Sequence, residues 1–132
     1  MNTDILYKPQ QLQDEISRLK DERETLRSCA EKTTSIISLA PGHGQGLNRT
    51  MEDILARVAD LDAEIEAKTE ELSSTVTYLL EQFDTVDNII YRTILIHRFV
   101  LQETWQETAQ QIGYCIRHCQ RFLKKAVSAL TQ

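Results

Sequence analysis

The fold is decided by the C-terminal stretch TWQETAQQIGYCIRHCQRFLKK, residues 104–125. Thr104 belongs to the residue types that cap helix N-termini, and Gly113 can end a helix because glycine accepts a left-handed backbone. A helix is therefore expected from about Trp105 to Ile112. A second helix is expected from about Ile116 to Leu130, because its apolar residues recur on one face. The stretch predicts two short helices joined by a tight turn.

This arrangement, with a basic outer face on the second helix, is the one that places a recognition helix in the major groove of DNA. Ala109 is small where the two helices would cross, and Cys119 and Phe122 fall where the second helix must bury side chains. Two positions depart from the residues that are usual in such a pair of DNA-binding helices. Thr108 stands where an aliphatic residue is usual, and Cys115 where Ser or Thr would cap the second helix. The spacing predicts a helix-turn-helix.

The residues just upstream predict a third helix of the same domain. Apolar side chains between Ile89 and Val100 cover most of the circumference of a short helix, which indicates burial among several neighbours. The heptad pattern of the preceding chain stops near Phe83, and Asp84 and Asp87 offer helix N-caps there. We therefore predict a three-helix helix-turn-helix domain over residues 84–132.

Residues 1–83 have the pattern of two long helices. Lys8-Pro9 suits a helix start, and Thr50 precedes acidic residues as in a capping box. Between them, about Leu39 to Asn48, one proline and three glycines interrupt the pattern. Each long helix has a seam, a line of mostly apolar residues spaced alternately three and four apart, which packs against a partner helix. The first seam is Leu12, Ile16, Leu19, Arg23, Leu26, Ala30, Thr33 and Ile37. The second seam is Met51, Ile54, Val58, Leu61, Ile65, Lys68, Leu72, Thr75 and Leu79. An all-α fold is thus predicted, in which a long antiparallel helical hairpin, a coiled coil for oligomerisation, precedes the helix-turn-helix domain. Two amphipathic helices that pack only on each other leave part of their apolar faces exposed to solvent. A homodimer through the hairpin is therefore expected.

The charge is distributed unevenly along the chain. The net charge is −5. Residues 1–84 hold 17 acidic and 9 basic residues, whereas residues 88–132 hold 6 basic and 2 acidic residues. The C-terminal segment can therefore meet phosphate, although basic residues near a helix C-terminus also favour the helix dipole. No apolar run approaches the roughly 20 residues that cross a bilayer, and no export signal is recognisable, so a cytoplasmic protein without membrane contact is expected.

Two further stretches, YRTILIHRF at residues 91–99 and TWQETAQQIGY at residues 104–114, resemble region four of bacterial sigma factors. With Tyr7-Lys8-Pro9, the heptad hairpin and the Pro-Gly loop, nearly the whole chain resembles small phage or prophage regulators of the RinA and ArpU type. This resemblance implies a sequence-specific DNA-binding transcription regulator of phage genes, with double-stranded DNA as partner and RNA polymerase as a further candidate partner.

The resemblance assigns the DNA-facing positions to the last helix, and the polar groups at the start of the helix before it could add contacts. Arg can bridge two guanine acceptors and Gln the donor and acceptor of adenine, so Arg117, Gln120 and Arg121 are the base-reading candidates. Further contacts are expected, mainly to the phosphate backbone, from His118, Lys124, Lys125, Thr104 and Gln106.

Other interpretations compete for the same residues. Cys115, His118 and Cys119 have a spacing that could present ligands to zinc, but four matched ligands are lacking, so no metal or cofactor is expected. No nucleophile has an evident base and oxyanion loop, and we expect no enzymatic activity. The alternative that remains open is a protein-interaction or assembly module, whose hairpin binds RNA polymerase or another phage protein without reading DNA.

Overall fold

A computed structural model of the chain describes residues 2–39 and 44–131, with side chains for residues 2–34 and 49–131. The described residues contain helices and connecting turns and no β-strand, which confirms the all-α prediction. None of the described helices is long and apolar enough to cross a membrane. The elements are a 3₁₀ helix Thr3–Tyr7, α1 Lys8–Leu39, α2 Gly44–Phe83, α3 Ile89–Leu95, a π-helix Ile96–Val100, α4 Trp105–Ile112 and α5 Ile116–Thr131.

The chain divides into two compact units. The helix-pair unit is Asp14–Glu70, and the core unit comprises Met1–Gln13 and Glu71–Gln132. This division differs from the boundary predicted at residues 83 and 84, because the ends of both long helices belong with the C-terminal residues.

Within the helix-pair unit, α1 and α2 run in opposite directions. Lys68 near the end of the unit pairs with Glu15 near its start (Nζ to Oε2, 2.8 Å), while Arg23 pairs with Asp62 (Nη1 to Oδ1, 2.8 Å). A third ion pair joins Arg57 Nη2 to Glu22 Oε1 at 2.9 Å. Between the helices, the apolar seam residues Ile16, Val58, Leu61 and Ile65 are buried.

Few large apolar side chains are exposed among the described side chains of this unit. Among residues 14–34 and 49–70, whose side chains are described, Leu55 is the exposed large apolar residue. The seams predicted from the heptads are thus largely covered within one chain.

The core unit is built around α3 and α5, which pack against each other and against α4. Its buried residues come from distant parts of the chain: Leu6, Leu79, Phe83, Val86, Ile94, Leu95, Phe99, Cys119, Ala126 and Leu130. Leu79 and Phe83 lie at the end of α2 and Leu6 in the 3₁₀ helix, so the hydrophobic core recruits both ends of residues 1–83. Burial of these large side chains, each worth about 1.5–3 kcal/mol, is the physical reason for the shifted boundary.

Two predicted helix starts are wrong in detail. The second long helix begins at Gly44 rather than after Thr50, since a helical glycine costs only about 1 kcal/mol relative to alanine. The predicted loop residues 40–43 lie outside the described residues. The cap of α3 is Asn88 rather than Asp84 or Asp87, because Asn88 Oδ1 accepts hydrogen bonds from the backbone N–H groups of Ile90 and Tyr91 (2.9 and 3.3 Å).

Candidate nucleic-acid interface

The connection between α4 and α5 follows the local signals of the sequence. Thr104 caps α4, since its Oγ1 accepts from the backbone N–H of Glu107 at 3.2 Å. Gly113 ends α4 with φ of 85°, and its N–H donates to the Ala109 carbonyl at 2.9 Å. A left-handed residue at this position reverses the chain quickly, so α5 starts three residues later, at Ile116.

Polar side chains in residues 97–103 form hydrogen bonds at the start of α4. The His97 ring is half-buried, with Nδ1 2.6 Å from Glu103 Oε2. Arg98 donates to the Glu103 carbonyl and lies 4.0 Å from the ring centroid of Trp105. Gln102 holds a left-handed φ of 57° while its side-chain amide donates to the Phe99 carbonyl at 2.6 Å. These contacts join the π-helix to the first residue of α4.

Helix α5 divides into a buried face and an exposed basic face. Cys119, Ala126 and Leu130 are buried in the core, and Phe122 and Leu123 are partly buried beside them. All the α5 residues assigned to DNA are exposed: Arg117, His118, Gln120, Arg121, Lys124 and Lys125. At about 100° per residue, the four cations fall within one third of the circumference, opposite the buried residues.

The cations of this face are free of acidic partners. Arg117, Arg121, Lys124 and Lys125 have no carboxylate within salt-bridge distance in the part of the chain that the structure describes. Within the helix-pair unit, by contrast, Arg23, Arg57 and Lys68 are each held by an Asp or Glu. The α5 face therefore keeps its positive charge available for an anionic ligand.

The two candidate residues on α4 have a different setting. Thr104 and Gln106 are exposed at the N-terminal end of α4 rather than on α5. The Thr104 hydroxyl oxygen is already used as the helix cap, so its remaining capacity is to donate its hydroxyl hydrogen.

A shallow depression adjoins the C-terminal half of the basic face. It is lined by Tyr91 from α3 and by Lys124, Lys125, Ser128 and Ala129 from α5. Tyr91 also packs its ring against Phe122, with centroids 6.1 Å apart. Sequence reasoning missed Tyr91 and Ser128, because only the packing of α3 on α5 brings the phenol beside the lysines.

The three residues considered as zinc ligands do not form a cluster. Cys119 is buried, with Sγ 3.7 Å from the Tyr114 carbonyl, whereas Cys115 is exposed with Sγ 3.0 Å from His118 Nδ1. No group of three His, Cys, Asp or Glu side chains suited to a metal ion occurs among residues 2–34 and 49–131.

No protein-family description matches this chain, and neither curated proteins nor solved structures give a significant match.

Proposed function

We propose that the protein is a DNA-binding transcription regulator of phage or prophage genes, acting in the cytoplasm, in which α4, the Gly113 turn and α5 form a helix-turn-helix reader. The observation that carries the proposal is the exposed, acid-free basic face of α5, opposite its buried face. Because α5 follows a short capped helix and a left-handed turn, it has the connection that such a reader uses to present its second helix.

Each residue of the face has a chemical role in this proposal. Arg117, Gln120 and Arg121 lie toward the N-terminal half of α5, which is the half that meets base edges in such readers. Lys124 and Lys125 contact the phosphate backbone, and the depression beside them offers the Tyr91 phenol as a further donor.

The finer architecture belongs to the same proposal. Residues 14–70 form the helical hairpin, and a homodimer through it would bring two readers to two half-sites. Since the described apolar seam is largely covered within one chain, the dimer contact would be polar or would involve residues outside the described side chains. Light scattering coupled to size exclusion tests the oligomer separately from DNA binding.

The experiment that tests DNA binding is selection of bound fragments from the source genome, followed by titration of the best fragment at several salt concentrations. If Lys124 and Lys125 each neutralise one phosphate, the double variant Lys124→Ala/Lys125→Ala lowers the slope of log K against log salt by about 1.8. Between 50 and 200 mM salt, this variant should lose about twelvefold less affinity than the wild type.

Arg121→Ala has a different expected signature. It should weaken the selected site by about 1–3 kcal/mol while changing binding to random DNA little, because a base contact carries sequence information. Arg18→Ala, on the exposed surface of α1, is the matched control that should change neither. Absence of binding at low salt, or equal effects of Arg18→Ala and Arg121→Ala, would refute the assignment.

A second candidate function is a protein-interaction module, in which the hairpin binds RNA polymerase or another phage protein without reading DNA. Leu55, which is 55% exposed, is the large apolar side chain that the described part of the hairpin offers to such a partner. Binding through this surface should change little with salt, whereas binding of DNA should weaken steeply.

A further inference from the structure

Three cysteines occur in the chain, and the structure gives them three different environments. Cys29 is exposed on α1, Cys119 is buried in the core, and Cys115 is exposed immediately before α5. Of the three, only Cys115 has a histidine three residues later, and the two side chains meet, with Sγ 3.0 Å from Nδ1 of His118.

The position of Cys115 at the helix start adds further donors. Its carbonyl accepts from the Cys119 N–H at 3.0 Å, which makes Cys115 the residue that opens the helix. The hydrogen bond with the His118 side chain, and next the one from the His118 backbone N–H, lower the pKa of the Cys115 thiol below its ordinary value. Burial has the opposite effect in the core, where it raises the pKa of the Cys119 thiol.

The imidazole lies beside two aromatic rings. The centroid of the His118 ring is 6.3 Å from those of Tyr114 and Phe122, and the Tyr114 and Phe122 rings meet edge to face with centroids 5.1 Å apart. Phe122 is itself packed on the core. Cys115 and His118 are both exposed, so small molecules can reach the thiol.

We propose that Cys115 and His118 form a reactive thiol site, at which a low-molecular-weight disulfide converts Cys115 to a mixed disulfide. In this step the Cys115 thiolate attacks one sulfur of the reagent, a new S–S bond forms, and the S–S bond of the reagent breaks. The electron pair leaves with the second sulfur, which takes up the proton that the Cys115 thiol released when it ionised. Cys115 is thereby oxidised, and half of the reagent is reduced to a thiol.

The consequence for DNA, which rests on the proposed function, follows from the location of Cys115. Arg117, a base-reading candidate, lies two residues after Cys115, and His118 is also on the proposed DNA-facing surface. An anionic disulfide such as oxidised glutathione would attach negative charge and bulk at the start of the reading helix. The modified protein should therefore bind DNA at least about tenfold more weakly, the loss expected for a disrupted base contact.

The first experiment measures reactivity in the full-length chain and does not involve DNA. The reduced protein is mixed with oxidised glutathione at pH 7, and peptide mass spectrometry follows the three cysteines in the same sample. Cys115 should react at least about fivefold faster than Cys29, while Cys119 stays unmodified. In His118→Ala, the Cys115 rate should fall toward that of Cys29, and the midpoint of its dependence on pH should move upward.

Equal rates for Cys115 and Cys29, or an unchanged Cys115 rate and pH midpoint in His118→Ala, would overturn the reactive site. Loss of structure is detected in the same variant by Cys119, because its buried thiol would react with the reagent if the core around α5 unfolded. The midpoint depends on the neighbours that lower the pKa of the Cys115 thiol, which are the His118 side chain and the backbone N–H groups of His118 and Arg117.

The second experiment compares the DNA affinity of the reduced protein, the mixed disulfide and Cys115→Ser treated with the same reagent. Serine preserves a helix cap, so Cys115→Ser should bind DNA and be insensitive to the reagent. If the mixed disulfide binds as tightly as the reduced protein, the regulatory consequence is wrong. If the reduced protein binds no DNA, the proposed function is wrong. The reactivity of Cys115 is tested by the first experiment alone, so that outcome does not affect it.

Discussion

Replacing Thr108 by valine should stabilise the protein. Thr108 lies in α4 with no exposed surface, and its Oγ1 has no hydrogen-bond partner within the described residues. A buried hydroxyl that makes no hydrogen bond has lost its contacts with water and gained nothing in exchange. Valine keeps the branched shape of threonine, and the two residues have nearly equal helix propensities, so the backbone need not adjust.

The expected gain is set by the cost of the unsatisfied group. Leaving a buried donor or acceptor without a partner costs about 1–3 kcal/mol, and Thr108→Val removes that cost. For a compact unit of fewer than 100 residues, each kcal/mol raises the melting temperature by about 4–8 °C. The midpoint of thermal unfolding should therefore rise by at least about 4 °C.

Thr75 provides the matched control. It is also buried on a helix, but its hydroxyl donates to the Glu71 carbonyl at 2.8 Å. Thr75→Val loses that hydrogen bond, so it should be neutral or cost up to about 1.5 kcal/mol. Urea titration of both variants measures the difference. A Thr108→Val protein no more stable than the wild type, or an equal gain for Thr75→Val, would show that the Thr108 hydroxyl does not destabilise the protein.

Substitutions at four other positions test the local structure by urea unfolding. Gly113→Ala should cost about 1–2 kcal/mol from its left-handed φ alone, because an added Cβ meets no atom within 4 Å, and Gly113→Asn should cost less than half of that. Asn88→Ala should cost about 1 kcal/mol through loss of the α3 cap, whereas Asn88→Asp should retain most of the stability. Ile65→Ala should lower the free energy of unfolding by about 2–5 kcal/mol, because Ile65 is buried between the two long helices. Arg57→Ala should lower it by less than about 1 kcal/mol, because the Arg57 side chain is 65% exposed. Comparable losses would show that ion pairs, rather than the buried apolar residues, hold the helix-pair unit together.

The candidate interface could be predicted from the sequence to a large extent. The bounds of α4 and α5 agree with the sequence signals of Thr104 and Gly113, because capping and a left-handed turn depend on residues only a few positions apart. The exposure of Arg117 and Arg121 likewise follows from helical periodicity, since Cys119 and Ala126 occupy the opposite face.

The composition of the core could not be predicted in the same way. The sequence pattern ended one domain at Phe83, yet Phe83 is buried with Ile94 and Leu95, and Leu6 joins them from the other end of the chain. A heptad pattern reports that a side chain is apolar and on a seam, but it does not report which distant residue covers it. The same limit applies to Tyr91, whose place beside Lys124 depends on how α3 crosses α5.

The sequence by itself determined the helical class, the two short C-terminal helices and the concentration of cations on α5, because each follows from composition or from interactions within a few residues. Tertiary structure alone decided that those cations lack acidic partners among the described residues, that Thr108 is buried without a hydrogen bond, and that the ends of residues 1–83 complete the C-terminal core. The reason is that burial and charge pairing depend on groups far apart in the chain, which only packing brings together.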